Sequence, residues 1–450
     1  MSLKMARTLV EKAPLFDISK LDFAQISPYL SSYNITDEKD RYLHWDQLKR
    51  RVPRDKAVSI WYAIKFKRMV QQKYIPLQDP AGGRFSYCVP HSMEAKLHQI
   101  VKLAGATVGS IAGSEASETI QKKYLVSSLI MEEAITSAQL EGASTTRAVA
   151  KKMLEDEREP IDEDERMILN NFLLLRHAEK MCKEELSIDM ILEFHAIAIS
   201  GTGENNVVPG EFRSNDDIYV DDGHGDIAYK PPSHELIFDR INKLCEFANM
   251  DHSGTNGCEF IPPVIKAIIL HFMIGYEHPF RDGNGRTARA LFYWYMLKHE
   301  YNLFRYVSIS KHIKDNAKGY GLSYLYSEKD QNDLTYFIDF QLDIILESFD
   351  ALQRYLKDKT NEFYEVIELL ENSKFNSSLN FVQKDLIKKG TKEPGRLFTV
   401  KEVSNSYSIS ANTARNHLND LVDKKIFISS RDGKTLLYLV PSDIRKRLKI

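Results

Sequence analysis

The chain reads as mainly helical, with one small β-hairpin inside the helical part and an α+β unit at its C-terminal end. Three observations carry that reading. Apolar residues recur at helical spacing in "LVSSLIMEEAITSAQL" (125–140), "DMILEFHAIAIS" (189–200) and "TYFIDFQLDIILESFDALQRYL" (335–356). Two short alternating runs, Asp217–Val220 and Ile227–Tyr229, flank the turn-forming "DDGHGD". Toward the C-terminus, two capped helical patterns precede two strand-like runs around a "DG" turn.

At 450 residues the chain exceeds one ordinary core. The expected division is an N-terminal extension (1–95), a helical domain (96–370) and a C-terminal domain (371–450), the last boundary set by the polar junction "ENSKFNSS" (371–378). The extension mixes short helical patterns with the turn-forming "QQKYIPLQDPAGGRF". Two Pro/Gly/Asp-rich segments around the hairpin interrupt the helical domain. Helices resume at "PPVIKAIILHFMIGYEH", where the prolines suit a helix start.

Composition is 43% apolar and 28% charged, with a net charge of −2, so any nucleic-acid surface must be local. Cys88, Cys182, Cys245 and Cys258 lie far apart, with no CxxC pair, and read as thiols of a reducing compartment. No signal-like or membrane-length apolar run is present, so the expectation is a cytoplasmic protein without membrane contact.

Chemistry concentrates in "HPFRDGNGRTAR", His278–Arg289, between two apolar helix candidates. The "GNG" opens a helix whose first N–H groups have no intrahelical partner, and the glycines allow close approach, so the turn is an anion cradle. Arg286 and Arg289 sit three apart, on one face of the first turn, and are expected to extend the positive field outward from the cradle. They oppose the helix dipole and call for a compensating anion, such as a polyphosphate. Asp282 is placed to hold Mg²⁺ against phosphate oxygens, and His278 to accept a proton from a hydroxyl. A capped turn with surface arginines and a core histidine would explain "GNG" alone, but not the full set.

This segment resembles the signature of the Fic (Fic/Doc) family, His-x-Phe-x-(Asp/Glu)-Gly-Asn-Gly-Arg-x-x-Arg, at every specified position. The likeness continues in "PGEFR" (209–213), "YKPP" (229–232) and "NDLTYFIDFQL", over roughly residues 100–360. It implies a Fic helical bundle with a hairpin flap, and transfer of AMP from ATP to a Ser, Thr or Tyr hydroxyl of a target protein. It implies His278 as general base and Asp282 as the Mg²⁺ ligand. Gly283, Asn284 and Gly285 would form the anion hole, with Arg286 and Arg289 on the β- and γ-phosphates. Gly285, where a phosphotransferring relative carries lysine, points to nucleotidyl transfer.

"TSAQLEGAST" places Ser137 and Glu141 four apart on a helix (about 124–142) that Gly142 would end. Alone this is a helix C-terminus with a glutamate. Beside the signature it is similar to the family's inhibitory motif, (Ser/Thr)-x-x-x-Glu-(Gly/Asn), in the subclass that carries it N-terminal to the active site. That implies autoinhibition: Glu141 pairing with Arg289 where the γ-phosphate belongs, with Ser137 steadying the helix. In some relatives the same glutamate supports AMP removal, which stays an alternative. The hairpin (about 217–229), through Ile218, Tyr219, Ala228 and Tyr229, is expected to hold an extended target segment by strand addition. Asn316 and Tyr320 are candidates for an adenosine pocket.

In the tail, Thr399 caps a short helix and Ser410 a second one, from Ala411 to about Lys424, before "IFISSRDGKTLLYLV". Helix–turn–helix plus hairpin resembles a winged helix-turn-helix domain. From 391 to 450, twelve Lys/Arg stand against six Asp/Glu. Asn412, Thr413, Arg415 and Asn416, with Arg431 and Lys434 on the wing, are the candidate duplex-DNA contacts. The same fold can instead dock a protein partner. A nucleotide-sensing DNA-binding regulator is therefore the competing reading of the chain, and a homodimer is compatible with the sequence.

Overall fold

The longest apolar stretches become the most deeply buried helices of the computed structural model, which describes residues 10–105, 131–202, 207–221, 227–255, 257–371, 375, 378–393, 395–432 and 435–448. Pro263–Glu277 starts with proline at its first position, where the missing N–H costs nothing, and buries every residue from Val264 to Ile274. Asn284–Lys298 is buried from Arg286 to Leu297. These two helices pack on each other, so the six residues joining them are held between buried walls. Helices Glu163–Lys180 and Ile188–Ile199 cover Asn284–Lys298. Ala317–Lys329 and the long Thr335–Glu371 complete the bundle.

The hydrophobic core crosses the boundary expected at residue 95. An antiparallel hairpin, Lys73–Gln78 with Arg84–Tyr87, contributes Ile75, Leu77, Phe85 and Tyr87 to the same core as Ile265 and Phe337. Buried polar bonds reinforce this joint. Lys65 pairs with Asp330 at 2.9 Å, Arg68 Nη1 donates to Tyr336 at 2.9 Å, and Tyr42 donates to Asp333 at 2.7 Å.

The flap is shorter than the alternation suggests. Val220–Asp221 pairs with Ile227–Tyr229, and Asp217–Tyr219 lies outside the strand. The cause is local: Asp216 and Asp217 are bonded to Arg213 and Arg281, which tie this stretch down before pairing begins. Ile218 and Tyr219 therefore precede the ladder, while Ala228 and Tyr229 lie in it. Most of the "DDGHGD" tip falls outside the described residues.

Near the C-terminus, Phe381–Lys392, Val400–Tyr407 and Ala411–Asp423 pack with a three-stranded antiparallel sheet around their own core, which includes Leu386, Phe398, Leu418 and Tyr438. Strand order is 397–399, 435–439, 428–432. Thr399 and Ser410 cap their helices by accepting N–H bonds from Glu402 and Thr413. Asn412, Arg415, Asn416 and Arg431 are exposed. Thr413 is half-buried with its hydroxyl on Ser410, and Lys434 lies outside the described residues. Asn405 Nδ2 donates to the Glu155 carbonyl at 2.6 Å, joining this unit to helix Arg147–Asp156. All four cysteines are free, and among the described residues no helix is long and apolar enough to cross a membrane.

Candidate active site

His278 ends helix Pro263–Glu277 in the left-handed region (φ 45°, ψ 56°), its N–H bonded to Ile274 O at 3.0 Å. Its Nδ1 lies 3.3 Å from the Gly275 carbonyl. With a carbonyl as partner, Nδ1 carries the hydrogen and Nε2 keeps a lone pair, the form a general base needs. Burial lowers its pKa, the Gly275 contact pulls back, and Arg213 pushes down again.

The loop beyond is stapled by Asn284. The Phe280 N–H donates to Asn284 Oδ1 at 3.0 Å, and Asn284 Nδ2 donates to the Phe280 carbonyl at 2.8 Å. The Asn284 side chain thus shapes the loop, leaving its backbone for the cradle. Gly283 takes φ +79°, and a Cβ there would lie 2.8 Å from Ile199 Cγ2. The first helical bond runs from Thr287 N to Gly283 O, so the N–H groups of Asn284, Gly285 and Arg286 come before the ladder starts.

What lies on that bare backbone is a carboxylate. A Cβ built on Gly285 would collide with Glu141 Oε1. Glu141 follows helix 131–140, which ends at Gly142 with φ +115°. Buried Arg289 donates through Nη2 to Glu141 Oε1 at 2.7 Å, through Nε to Ser137 Oγ at 3.0 Å, and to the Ser137 carbonyl at 3.3 Å. Residues 106–130, with the earlier part of the expected 124–142 helix, lie outside the described residues.

The two arginines of the signature do not converge. Arg286, also buried, donates to the Ala198 carbonyl at 2.7 Å and to Asp282 Oδ2 at 2.6 Å. It restrains Asp282 and faces helix Ile188–Ile199, whereas Arg289 faces Glu141. Three residues along a helix leave room for this divergence. Asp282 stays half-exposed. Among the described residues no group of three or more His, Cys, Asp or Glu could hold a metal by itself. One accessible carboxylate beside an anion cradle does suit Mg²⁺, which takes few protein ligands and the rest from phosphate and water.

Of the adenosine candidates, Asn316 caps its own helix through Gly319 N–H, and Tyr320 OH contacts His271 Nε2 at 3.0 Å. Three contributors carried no sequence signal as chemistry. Glu133, buried on helix 131–140, accepts from Ser308 Oγ (2.8 Å), Ser310 N–H (3.1 Å) and Ser310 Oγ (2.5 Å). Burial still raises its pKa above the usual carboxylate value. Arg213, quoted within "PGEFR", donates through Nε to the His278 carbonyl at 3.0 Å and reaches both feet of the flap at Asn215 O, Asp216 and Pro232 O. His195 is the third.

The Fic/DOC family model matches residues 185–296, a segment that contains the flap and the corner and leaves Glu141 outside. The chain is 31% identical over 115 residues to protein adenylyltransferase fic-1 of Caenorhabditis elegans, covering 26% of this chain and 20% of that protein. It is 32% identical over 161 residues to protein adenylyltransferase Fic of Drosophila melanogaster, covering 34% and 30%. The chain thus spans between a fifth and a third of these relatives' length. Among solved structures it resembles a Fic family protein from Desulfovibrio desulfuricans G20 (TM-score 0.46, 16% identity, 77% of this chain and 96% of that one). It also resembles Fic-1 from C. elegans (TM-score 0.46, 18% identity, 70% and 81%). Residues 185–296 are thus similar to the Fic/DOC family.

Proposed function

We propose that the chain is a protein adenylyltransferase, moving AMP from ATP to a Ser, Thr or Tyr hydroxyl of a target protein, and that Glu141 holds it off. The observation that carries this reading is the Glu141 carboxylate resting on Gly285 and paired with Arg289. An acidic group already fills an anion site a few residues from a histidine whose Nε2 is set up as a base. The adenylyltransferase names of the relatives support the same reaction.

When Glu141 withdraws, Arg289 and the N–H groups of Asn284, Gly285 and Arg286 are left to bind phosphate oxygens. Asp282, steadied by Arg286, would hold Mg²⁺. Mg²⁺ bound there would neutralise phosphate charge. His278 Nε2 takes the proton of the target hydroxyl as its oxygen bonds to the α-phosphorus and the bond to pyrophosphate breaks. The flap presents the target strand to His278. Incubating Glu141→Gly with Mg²⁺ and α-phosphate-labelled ATP, alone and with lysate, tests this. Covalent label that vanishes in His278→Ala/Glu141→Gly is expected. Label independent of His278, or none at all, would overturn the reading.

One observation favours a second reaction at the same site. The Glu141 carboxylate, held by Arg289 against Gly285, is near the corner from which a carboxylate could orient water for AMP removal. Release of AMP from an already modified target by the unmutated protein would show it.

For the rest of the chain we keep the division at 370, with residues 73–87 sharing the core of the helical domain. Residues 371–450 form a winged helix that binds duplex DNA or a docking protein, through the exposed Asn412, Arg415, Asn416 and Arg431. Duplex affinity falling steeply with salt would support DNA, and no binding at low salt would remove it. Four free cysteines fit a reducing, cytoplasmic setting.

A further inference from the structure

Helix Ile188–Ile199 carries one polar ring in its buried face, His195, fully buried and outside the signature. The imidazole stacks on Phe280 with centroids 3.7 Å apart and planes 8° from parallel. Its Nδ1 accepts the Gly210 N–H at 3.1 Å, and its Nε2 lies 3.1 Å from the Asp282 carbonyl. A ring nitrogen that accepts an N–H cannot itself carry hydrogen, so Nε2 is the protonated one and donates to Asp282 O. Both nitrogens are used, in one neutral tautomer. Burial agrees, pushing the pKa down to about 4.

The same face continues the grip. Ala198 O holds Arg286, Ile199 Cγ2 backs Gly283, and a Cβ on Gly283 would come within 3.2 Å of His195 Cδ2. Gly210 opens the run into Phe212, which packs on Phe280, and Arg213, whose N–H bonds Pro279 O at 2.9 Å. One ring therefore touches the loop that bears Asp282 and the foot of the flap.

We propose that His195 is a positioning residue: by donating to the Asp282 carbonyl while accepting from Gly210, it sets the Asp282–Gly283 peptide that aims the cradle and the acidic side chain. The inference rests on the reading of the corner as a Mg²⁺–nucleotide cradle, and does not need AMP transfer to be the reaction.

The test is a set of variants in the Glu141→Gly protein. His195→Gln can keep a donor near the Nε2 position, His195→Asn keeps an acceptor near Nδ1, and His195→Phe keeps only the stack. MgATP affinity by calorimetry, self-labelling rate and thermal midpoint are read for each. Removing an orienting contact of this kind costs about tenfold or more in affinity. His195→Phe and His195→Asn should show that loss, with His195→Gln restoring affinity to within a few-fold of the parent, whatever the order of their midpoints. Equal affinities for the Gln and Asn variants, or losses that simply follow the thermal midpoint, would overturn the assignment. Should the Phe variant fail to fold, the Gln–Asn pair still decides. A parent that binds MgATP without labelling would defeat the AMP-transfer reading while the affinity order still tests His195. A parent that binds no MgATP would defeat the cradle, and this inference with it.

Discussion

Two segments reach the corner at His278–Arg289, and they are held in different ways. Helix 131–140 is gripped along its length by buried groups: Glu133 by Ser308 and Ser310, Ser137 and Glu141 by Arg289. Among the described residues the flap is gripped near its feet, by Arg213, by Arg281, which donates to Asn215 and Asp217 at 2.9–3.0 Å, and by Tyr229, whose hydroxyl donates to the Tyr276 carbonyl at 2.8 Å. Beyond the feet, Tyr219, just before the ladder, and Ile227, within it, are 52% and 61% exposed. On the proposed reading, the end that would take phosphates is closed by charge and the end that would take a target is left open. ATP binding, and not target docking, would then be what the fold restrains.

The comparison can be broken at either end. The largest effect belongs to the base: His278→Ala in the Glu141→Gly protein should cut self-labelling by about 10²–10⁴-fold, the usual worth of a positioned base, with MgATP affinity little changed. Next is the closed end. A hydrogen bond to a charged group contributes ~1.5–3 kcal/mol, so Glu141→Gly should tighten MgATP binding by roughly 10–100-fold in a calorimetric titration. The same change strands a buried guanidinium, so the thermal midpoint should fall.

Glu133→Gln sharpens the picture, because it weakens the grip far from the phosphates. Self-labelling should rise by only about several-fold, in keeping with the ~1 kcal/mol of a typical net hydrogen bond. The smallest effect belongs to the open end. Arg281→Ala removes a half-exposed pair worth about 0–1 kcal/mol and should reduce labelling of lysate targets at most a few-fold, with MgATP affinity untouched. If MgATP affinity changed instead, the division between the two ends would fail.

A pH measurement checks the base directly. Burial lowers the His278 pKa, so its neutral form is favoured by folding. That contribution is present above the ordinary histidine value of about 6.5 and is lost as pH falls through the lower folded value. In an NMR titration of nucleotide-free protein, the His278 ring should stay neutral below pH ~6.5, where exposed histidines have half titrated. A midpoint at or above that value would contradict the tautomer and burial argued for it.

How much was legible follows the range of the interactions. The corner, the helix starts at Pro263 and Ser410, and the halt at Gly142 are local, set by backbone donors and φ within a few residues. Glu141 facing Arg289 spans 148 residues and was reachable only through a family resemblance. His195 had no such route. A lone histidine on an apolar helix face looks like core, and its partners lie 15 and 87 residues away. The divergence of Arg286 from Arg289 depends on Ala198, which offers only a carbonyl and so leaves no mark in a side-chain pattern. The N-terminal hairpin was hidden by Pro76 inside a strand whose buried positions are Ile75 and Leu77. The flap register moved because Asp216 and Asp217 serve arginines before they can serve a strand.

The central claim is that the Glu141 carboxylate stands where a nucleotide phosphate must go. The most direct measurement is the initial rate of α-label incorporation at MgATP well below saturation, for the unmutated protein and Glu141→Gly side by side. Little or no incorporation in the first and a rise of an order of magnitude or more in the second is the expected result. Equal rates in both would contradict it.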